Sequence, residues 1–147
     1  MTNWICKTFA ELTPDELYAI LRLRSEVFVV EQNCVFLDMD NKDQKSHHLM
    51  GWRDGELVGY SRLLRQGISY VESSIGRVVT SPAARRLGVG RDLLSTSIAT
   101  LYTLYGKQPI RIGAQCYLTK FYASFGFVPK GEIYLEDGIE HVEMLML

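Results

Sequence analysis

The chain has 147 residues, 47% hydrophobic, 11% aromatic and 22% charged, which excludes a disordered, core-poor chain and fits a single domain over residues 1–147 that needs no staple. Lys plus Arg number 16 and Asp plus Glu 17, for a net charge of -1, so the basic footprint of a nucleic-acid or anionic-membrane partner is missing. Three cysteines, Cys6, Cys34 and Cys116, form no CxxC pair, which points to a reducing, cytoplasmic setting, and no metal is expected.

The first residues, Met1 to Lys7, lack a basic region followed by an apolar stretch, so no secretory signal is read and the chain is expected to begin here. The longest uncharged run, Leu93 to Gly106, falls well short of the ~20 apolar residues that span a bilayer. Thr13-Pro14-Asp15-Glu16 carries a helix start: Thr as cap, Pro at the first helical position, Glu reaching back three positions on. Leu17, Ile20, Leu21, Val27 and Phe28 then recur at helical spacing, with Arg24 on the same apolar face. The polar stretch from Asp38 to Ser46 reads as a surface loop.

Beyond it, His48 to Trp52 and Glu56 to Leu64 flank Asp54-Gly55, a hairpin signal. Ser69 to Glu72 and Ile75 to Thr80 continue the strand character until Pro82, which cannot donate to a ladder. A helix follows Gly88 and Gly90, with Leu94, Ile98, Leu101 and Tyr105 on one face and Gly106 as its C-terminal cap. Ile110 to Gln115 reads as a strand, Leu118 to Phe125 as a short helix, and Asp137-Gly138 as the turn of a last hairpin that ends in His141 to Leu147. The predicted fold is α/β: a mixed, mostly antiparallel sheet of about seven strands flanked by helices.

The stretch from Val78 to Arg91 runs strand, basic loop, helix, with Arg85, Arg86 and Arg91 around the two glycines. Glycines let a backbone approach a ligand closely, and the free amides of a first helical turn attract an anion. The same glycines would also serve a bare strand-to-helix turn. A Walker loop needs GxxxxGK[ST], and a dinucleotide fingerprint needs a third glycine where Leu93 stands, so neither applies.

Arg85-Arg86-Leu87-Gly88-Val89-Gly90 resembles the [Q/R]-x-x-G-x-[G/A] pyrophosphate loop of the GNAT superfamily of N-acetyltransferases, and Tyr122-Ala123-Ser124-Phe125-Gly126-Phe127 resembles that family's second motif, in the same order. Arg24 to Gln32 together with His47-His48-Leu49 resembles the ElaA-like subgroup, so the likeness covers nearly the whole chain. Gln115 stands where the family often has Asn, seven residues before the tyrosine.

The resemblance implies an acyl-CoA N-acyltransferase fold and transfer of an acetyl group from acetyl-CoA, as co-substrate, to a primary amine of a small molecule or peptide. It implies cofactor contacts from Val78, Val79, Thr80, Arg85, Arg86, Leu87, Gly88, Val89, Gly90, Arg91 and Gln115, and a general acid at Tyr122 that serves the departing thiolate. An ordinary buried strand at Val78–Val79 and a packing aromatic at Tyr122 are the structural alternatives. An amine must lose a proton before it attacks, and Glu31, Glu72, His47 and His48 are candidate bases. Arg24, Glu31 and His47 are candidate substrate residues, although a buried Arg24 paired with Glu26, Glu31 or another acid would serve structure alone. Cys116 could serve as a nucleophile but has no partner at triad spacing, and a buried Cys packs as a small hydrophobe. Two rivals remain: an acyl-homoserine-lactone synthase, for which the chain is short, and an idle acyl-CoA-binding module.

Overall fold

The computed structural model describes residues 1–147. Its elements are β1 (Asn3–Thr8), α1 (Pro14–Arg24), β2 (His47–Arg53), β3 (Glu56–Leu64), β4 (Ser74–Thr80), α2 (Val89–Tyr105), β5 (Ile110–Gln115), α3 (Thr119–Ala123), β6 (Val128–Glu136) and β7 (Ile139–Met146). The seven strands form two sheets, β1-β2-β3-β4 and β5-β7-β6, with every neighbouring pair antiparallel.

Local chemistry sets the ends of the elements. Thr13 and Glu16 close the start of α1 reciprocally: the Thr13 hydroxyl accepts from Glu16 N–H at 3.1 Å and the Glu16 carboxylate accepts from Thr13 N–H at 2.8 Å. Asp54-Gly55 and Asp137-Gly138 both adopt left-handed φ angles, +51° and +78° in each pair, which is the turn that matches the twist of two paired strands.

Helix α1 does not stop cleanly at Arg24. It continues as a π-helical turn from Ser25 to Glu31, a form that is rare and concentrated at functional sites. Ile20, Leu23 and Val27 bury against Met50, Tyr60 and Val79 on one face of the first sheet. Helix α2 covers the opposite face, where Leu94 and Leu101 share a cluster with Leu63, Ile75, Ile110, Ile112 and Val142. Alternation along β3 delivers Tyr60 to α1 and Leu63 to α2.

Two sequence expectations need correction. Ser69–Glu72 forms no strand: Gly67 N–H donates to the Tyr70 carbonyl at 2.8 Å, folding the segment on itself, and only Ser73 bridges to Ile110. The helix expected over Leu118–Phe125 is confined to Thr119–Ala123 and preceded by a 3-10 turn at Cys116–Leu118.

That single parallel bridge, with Arg111 N–H donating to the Ser73 carbonyl at 3.0 Å, is where the two sheets meet. Beyond it the β4 and β5 edges diverge, since each is the outer strand of its own sheet. A bulge sharpens the divergence: between Tyr60–Val79 and Arg62–Gly76, β3 has one residue and β4 has two, with Arg77 at φ +50°.

Candidate active site

A cleft of about 870 Å³ occupies the gap between the diverging edges. Val78, Val79 and Thr80 line one wall, Gly113 and Gln115 the other, and Tyr122 of α3 closes one side. The backbone of β4 has a ladder partner only in β3, so its groups facing β5 are open to a ligand with amides of its own.

Thr80 leads to the start of α2. Gly88, the N-cap residue at φ +76°, supplies no side-chain cap, and the first helical bond runs from Asp92 N–H to its carbonyl at 3.2 Å. The amides of Val89, Gly90 and Arg91 therefore have no helical acceptor, in contrast to the capped start of α1. Only Gly88 has a conformational reason to be glycine. Gly90 is helical, and a Cβ there would meet nothing closer than Thr80 Cγ2 at 3.9 Å. Its bareness leaves room beside the free amides. Arg86 (φ +72°) and Leu87 are exposed in the loop, while Arg91 donates to Ser124 Oγ at 3.1 Å and stacks at 4.7 Å on Phe125. Of the loop arginines, only Arg85 lines the cleft, and it holds Glu31 in a bidentate ion pair. Arg85 accordingly draws the Glu31 carboxyl below its ordinary range.

Tyr122 is 7% exposed, with its ring edge-on to Phe121 and Phe127. Burial, and then the neighbouring Tyr117, pushes its phenol well above the ordinary value. The phenol is protonated at neutral pH, and Tyr122 is among the residues that line the cleft.

The remaining candidates are distributed differently from expectation. Arg24 is fully buried; its Nε donates to Asp38 at 2.7 Å and its Nη1 to Asp43 at 2.8 Å. Its guanidinium is thus taken up by acids of the segment read as a surface loop, and the substrate role is withdrawn. Asp38 also accepts from Arg77 at 2.8 Å, while Arg62 bridges Asp40 at 2.7 Å and Asp43 at 2.9 Å. Three arginines and three aspartates therefore alternate in one network, of which Asp40, Arg62 and Arg77 line the cleft. Burial raises the Asp40 and Asp43 carboxyls, but the bonds from Arg62 and Arg24 outweigh it and hold both below the usual range.

His47 lies outside the cleft, with Nδ1 2.7 Å from the Tyr105 hydroxyl on α2. His48 is buried, using one nitrogen on Tyr60 at 2.6 Å and the other on the Asp43 carbonyl at 2.8 Å, and burial lowers its pKa. Glu72 is committed to Arg111 at 3.0 Å, and Cys116 does not border the cleft. Gln115 does, and its amide pairs with Gln32 at 3.2 Å. Sequence reasoning missed the π-helical turn that carries Glu31 and Gln32 to the rim, and it missed His141, which lines the cleft from β7. The Asp137-Gly138 hairpin was a usable signal for the position of His141; its face required the β5–β7 register.

Residues 11–147 match the family profile described as an acetyltransferase (GNAT) domain. The chain belongs to the GNAT acetyltransferase family. Within it the chain is ElaA-like: it is 42% identical to Protein ElaA of Escherichia coli (strain K12) over 98% of this chain and 95% of that protein. The E. coli ElaA crystal structure superposes with a TM-score of 0.93 at 41% identity, covering both chains completely. An acyl-CoA N-acyltransferase from Pseudomonas aeruginosa superposes at 0.95 with 44% identity, again over both complete chains. The AHL synthase LasI shares the fold, with a TM-score of 0.78 at 12% identity, over 99% of this chain and 89% of its own. No helix of this GNAT member is long and apolar enough to cross a membrane.

Proposed function

We propose that the protein transfers an acetyl group from acetyl-CoA to a primary amine of a small molecule or peptide by direct attack in a ternary complex. The observation that carries this reading is the pair of free strand edges at β4 and β5, which diverge around the Tyr122 side chain. The pantetheine arm has two amides and fits beside Val78–Thr80 as a substitute strand. Its pyrophosphate fits the uncapped amides of Val89, Gly90 and Arg91, with Arg85 and Arg86 supplying charge. Gln115 lines the other wall of the cleft, where it would border the arm.

In the reaction the amine nitrogen forms a C–N bond to the thioester carbon, the C–S bond breaks, and the Tyr122 hydroxyl delivers a proton to the thiolate. A phenol raised by burial is a competent donor to a thiolate only while the contact is held in a dry site, which its 7% exposure supplies. The three free cysteines accord with a cytoplasmic location.

The test mixes the protein and acetyl-CoA with pooled amines (polyamines, amino sugars, amino acids and lysine peptides) and reads free thiol release. Amine-dependent thiol with matching N-acetyl product supports the reading. Acetyl-CoA binding without release from any pool would identify an idle acyl-CoA-binding module instead.

A further inference from the structure

Strand alternation divides the second sheet into two faces. Ile112, Ala114, Val142 and Met144 of β5 and β7 share a core cluster with Tyr122. Gln115 and its register partner His141, with Tyr134 opposite on β6, alternate with those residues and point away from that cluster. Tyr122 and His141 therefore border the same cleft from opposite faces of one sheet.

The chain has three histidines, and His141 alone lines the cleft. Its ring stacks on Tyr134 at 5.7 Å between centroids, and Nδ1 lies 2.8 Å from the Ile139 carbonyl. A carbonyl oxygen only accepts, so Nδ1 carries the hydrogen and Nε2 of the neutral ring is the bare, basic nitrogen. Glu136 Oε2 stands 3.5 Å from Nε2, outside an ordinary hydrogen bond. The lone pair is left available, and a carboxylate waits beside the imidazolium that would form. The other titratable groups at this end of the cleft are Tyr70, Asp137 and the Cys34 thiol, which donates to the Asp137 carbonyl at 2.9 Å.

We propose that His141 is the general base of the transfer, accepting at Nε2 the proton that the acceptor ammonium must lose before it attacks. The inference rests on the transferase reading above. An ammonium that becomes an amide gives up two protons. One leaves through His141 to solvent, and the other balances the proton that Tyr122 delivers to sulfur. Base and acid then stand on the two sides of the gap, one where the amine enters and the other where the thiolate departs.

The experiment compares the parent with His141→Gln and His141→Ala, using acetyl-CoA, the best primary amine from the pooled screen and a β,β,β-trifluorinated amine of the same class, whose nitrogen is already mostly unprotonated at neutral pH. With the ordinary amine, kcat should fall about a hundredfold or more, with the acetyl-CoA dissociation constant and melting temperature unchanged. With the fluorinated amine the loss should shrink to about tenfold or less, and added imidazole should partly restore His141→Ala. An equal loss with both amines, or no loss, would overturn the base assignment while leaving the transferase reading intact. Nitrogen NMR of the parent imidazoles supplies a readout that survives misfolded variants: His141 should carry its hydrogen on Nδ1, and the opposite tautomer overturns the proposal. A parent protein that binds acetyl-CoA but acetylates no amine removes the transferase reading, and this base with it.

Discussion

Glu31 and Arg85 meet in a two-pronged ion pair, Nη1 to Oε2 at 2.8 Å and Nη2 to Oε1 at 2.6 Å, and the next residue, Gln32, pairs with Gln115 on the facing wall. Glu31, which ends the π-helical turn, and Gln32 just after it thus grip both sides of the cleft. If Arg85 serves the pyrophosphate, Glu31 competes with the ligand for it. An exposed pair of this kind is worth up to about 1 kcal/mol, so Glu31→Gln should tighten CoA binding by up to about fivefold. Calorimetry at low and moderate salt checks this; weaker binding would mean that the pair holds the site in shape.

The two glycines at the start of α2 should respond in opposite ways. Gly88→Ala forces a side chain onto φ +76°, at a cost of about 1 kcal/mol or more, and should lower the melting temperature. Gly90→Ala meets no obstruction and joins a helix that favours alanine by up to about 1 kcal/mol. Its melting temperature should hold or rise while CoA affinity falls. Affinity equal to the parent's would return Gly90 to the list of turn residues.

Tyr122→Phe retains the ring and its contacts with Phe121 and Phe127. Packing should hold, acetyl-CoA should still bind, and turnover should drop by about a hundredfold to ten-thousandfold. Any fall in rate at high pH that belongs to the phenol should vanish with it, while the acidic limb stays. A variant that turns over within about threefold of the parent would assign protonation of the thiolate to water.

Stability should fall with acid in two stages. His48 has a native pKa below its unfolded value of about 6.5. Below that pH the unfolded chain binds a proton that the fold refuses, and stability drops. Asp40 and Asp43 also have depressed native values, so their contribution is fully present above about pH 4 and is lost as pH falls further. Urea midpoints across this range should show a shallow decline and then a steep one. Asp40→Asn should flatten part of the second stage.

The sequence made local features legible because each has a local cause. The Thr13–Glu16 cap, both Asp-Gly turns and the strand at Ile110–Gln115 stand where short-range chemistry puts them. What stayed hidden depends on distant partners. Arg24 finds its acids 14 and 19 residues on, inside a segment whose polarity alone reads as solvated. The β4 bulge has its positive φ at Arg77, not at a glycine, so nothing in composition marks it. His47 and His48 differ only by which face of β2 they occupy, and that difference sends one to Tyr105 and the other to Tyr60. Ser69–Glu72 resembles a strand until Gly67 turns the chain back toward Tyr70.

The diverging β4 and β5 edges also bear on how the molecule fails. An unpaired strand edge invites a strand from another molecule, and here two such edges flank one slot, with apolar Val79 and Ile112 among the residues that line it. Natural sheets blunt such edges with charge, proline or bulges; β4 has charge and a bulge at Arg77, but Val78, Val79 and Thr80 beyond it are uncharged. A bound CoA arm lying in the slot would cap both edges at once. The cofactor would then act as a chaperone of its own site, and heat-induced aggregation, rather than unfolding alone, is where its presence should be felt most strongly.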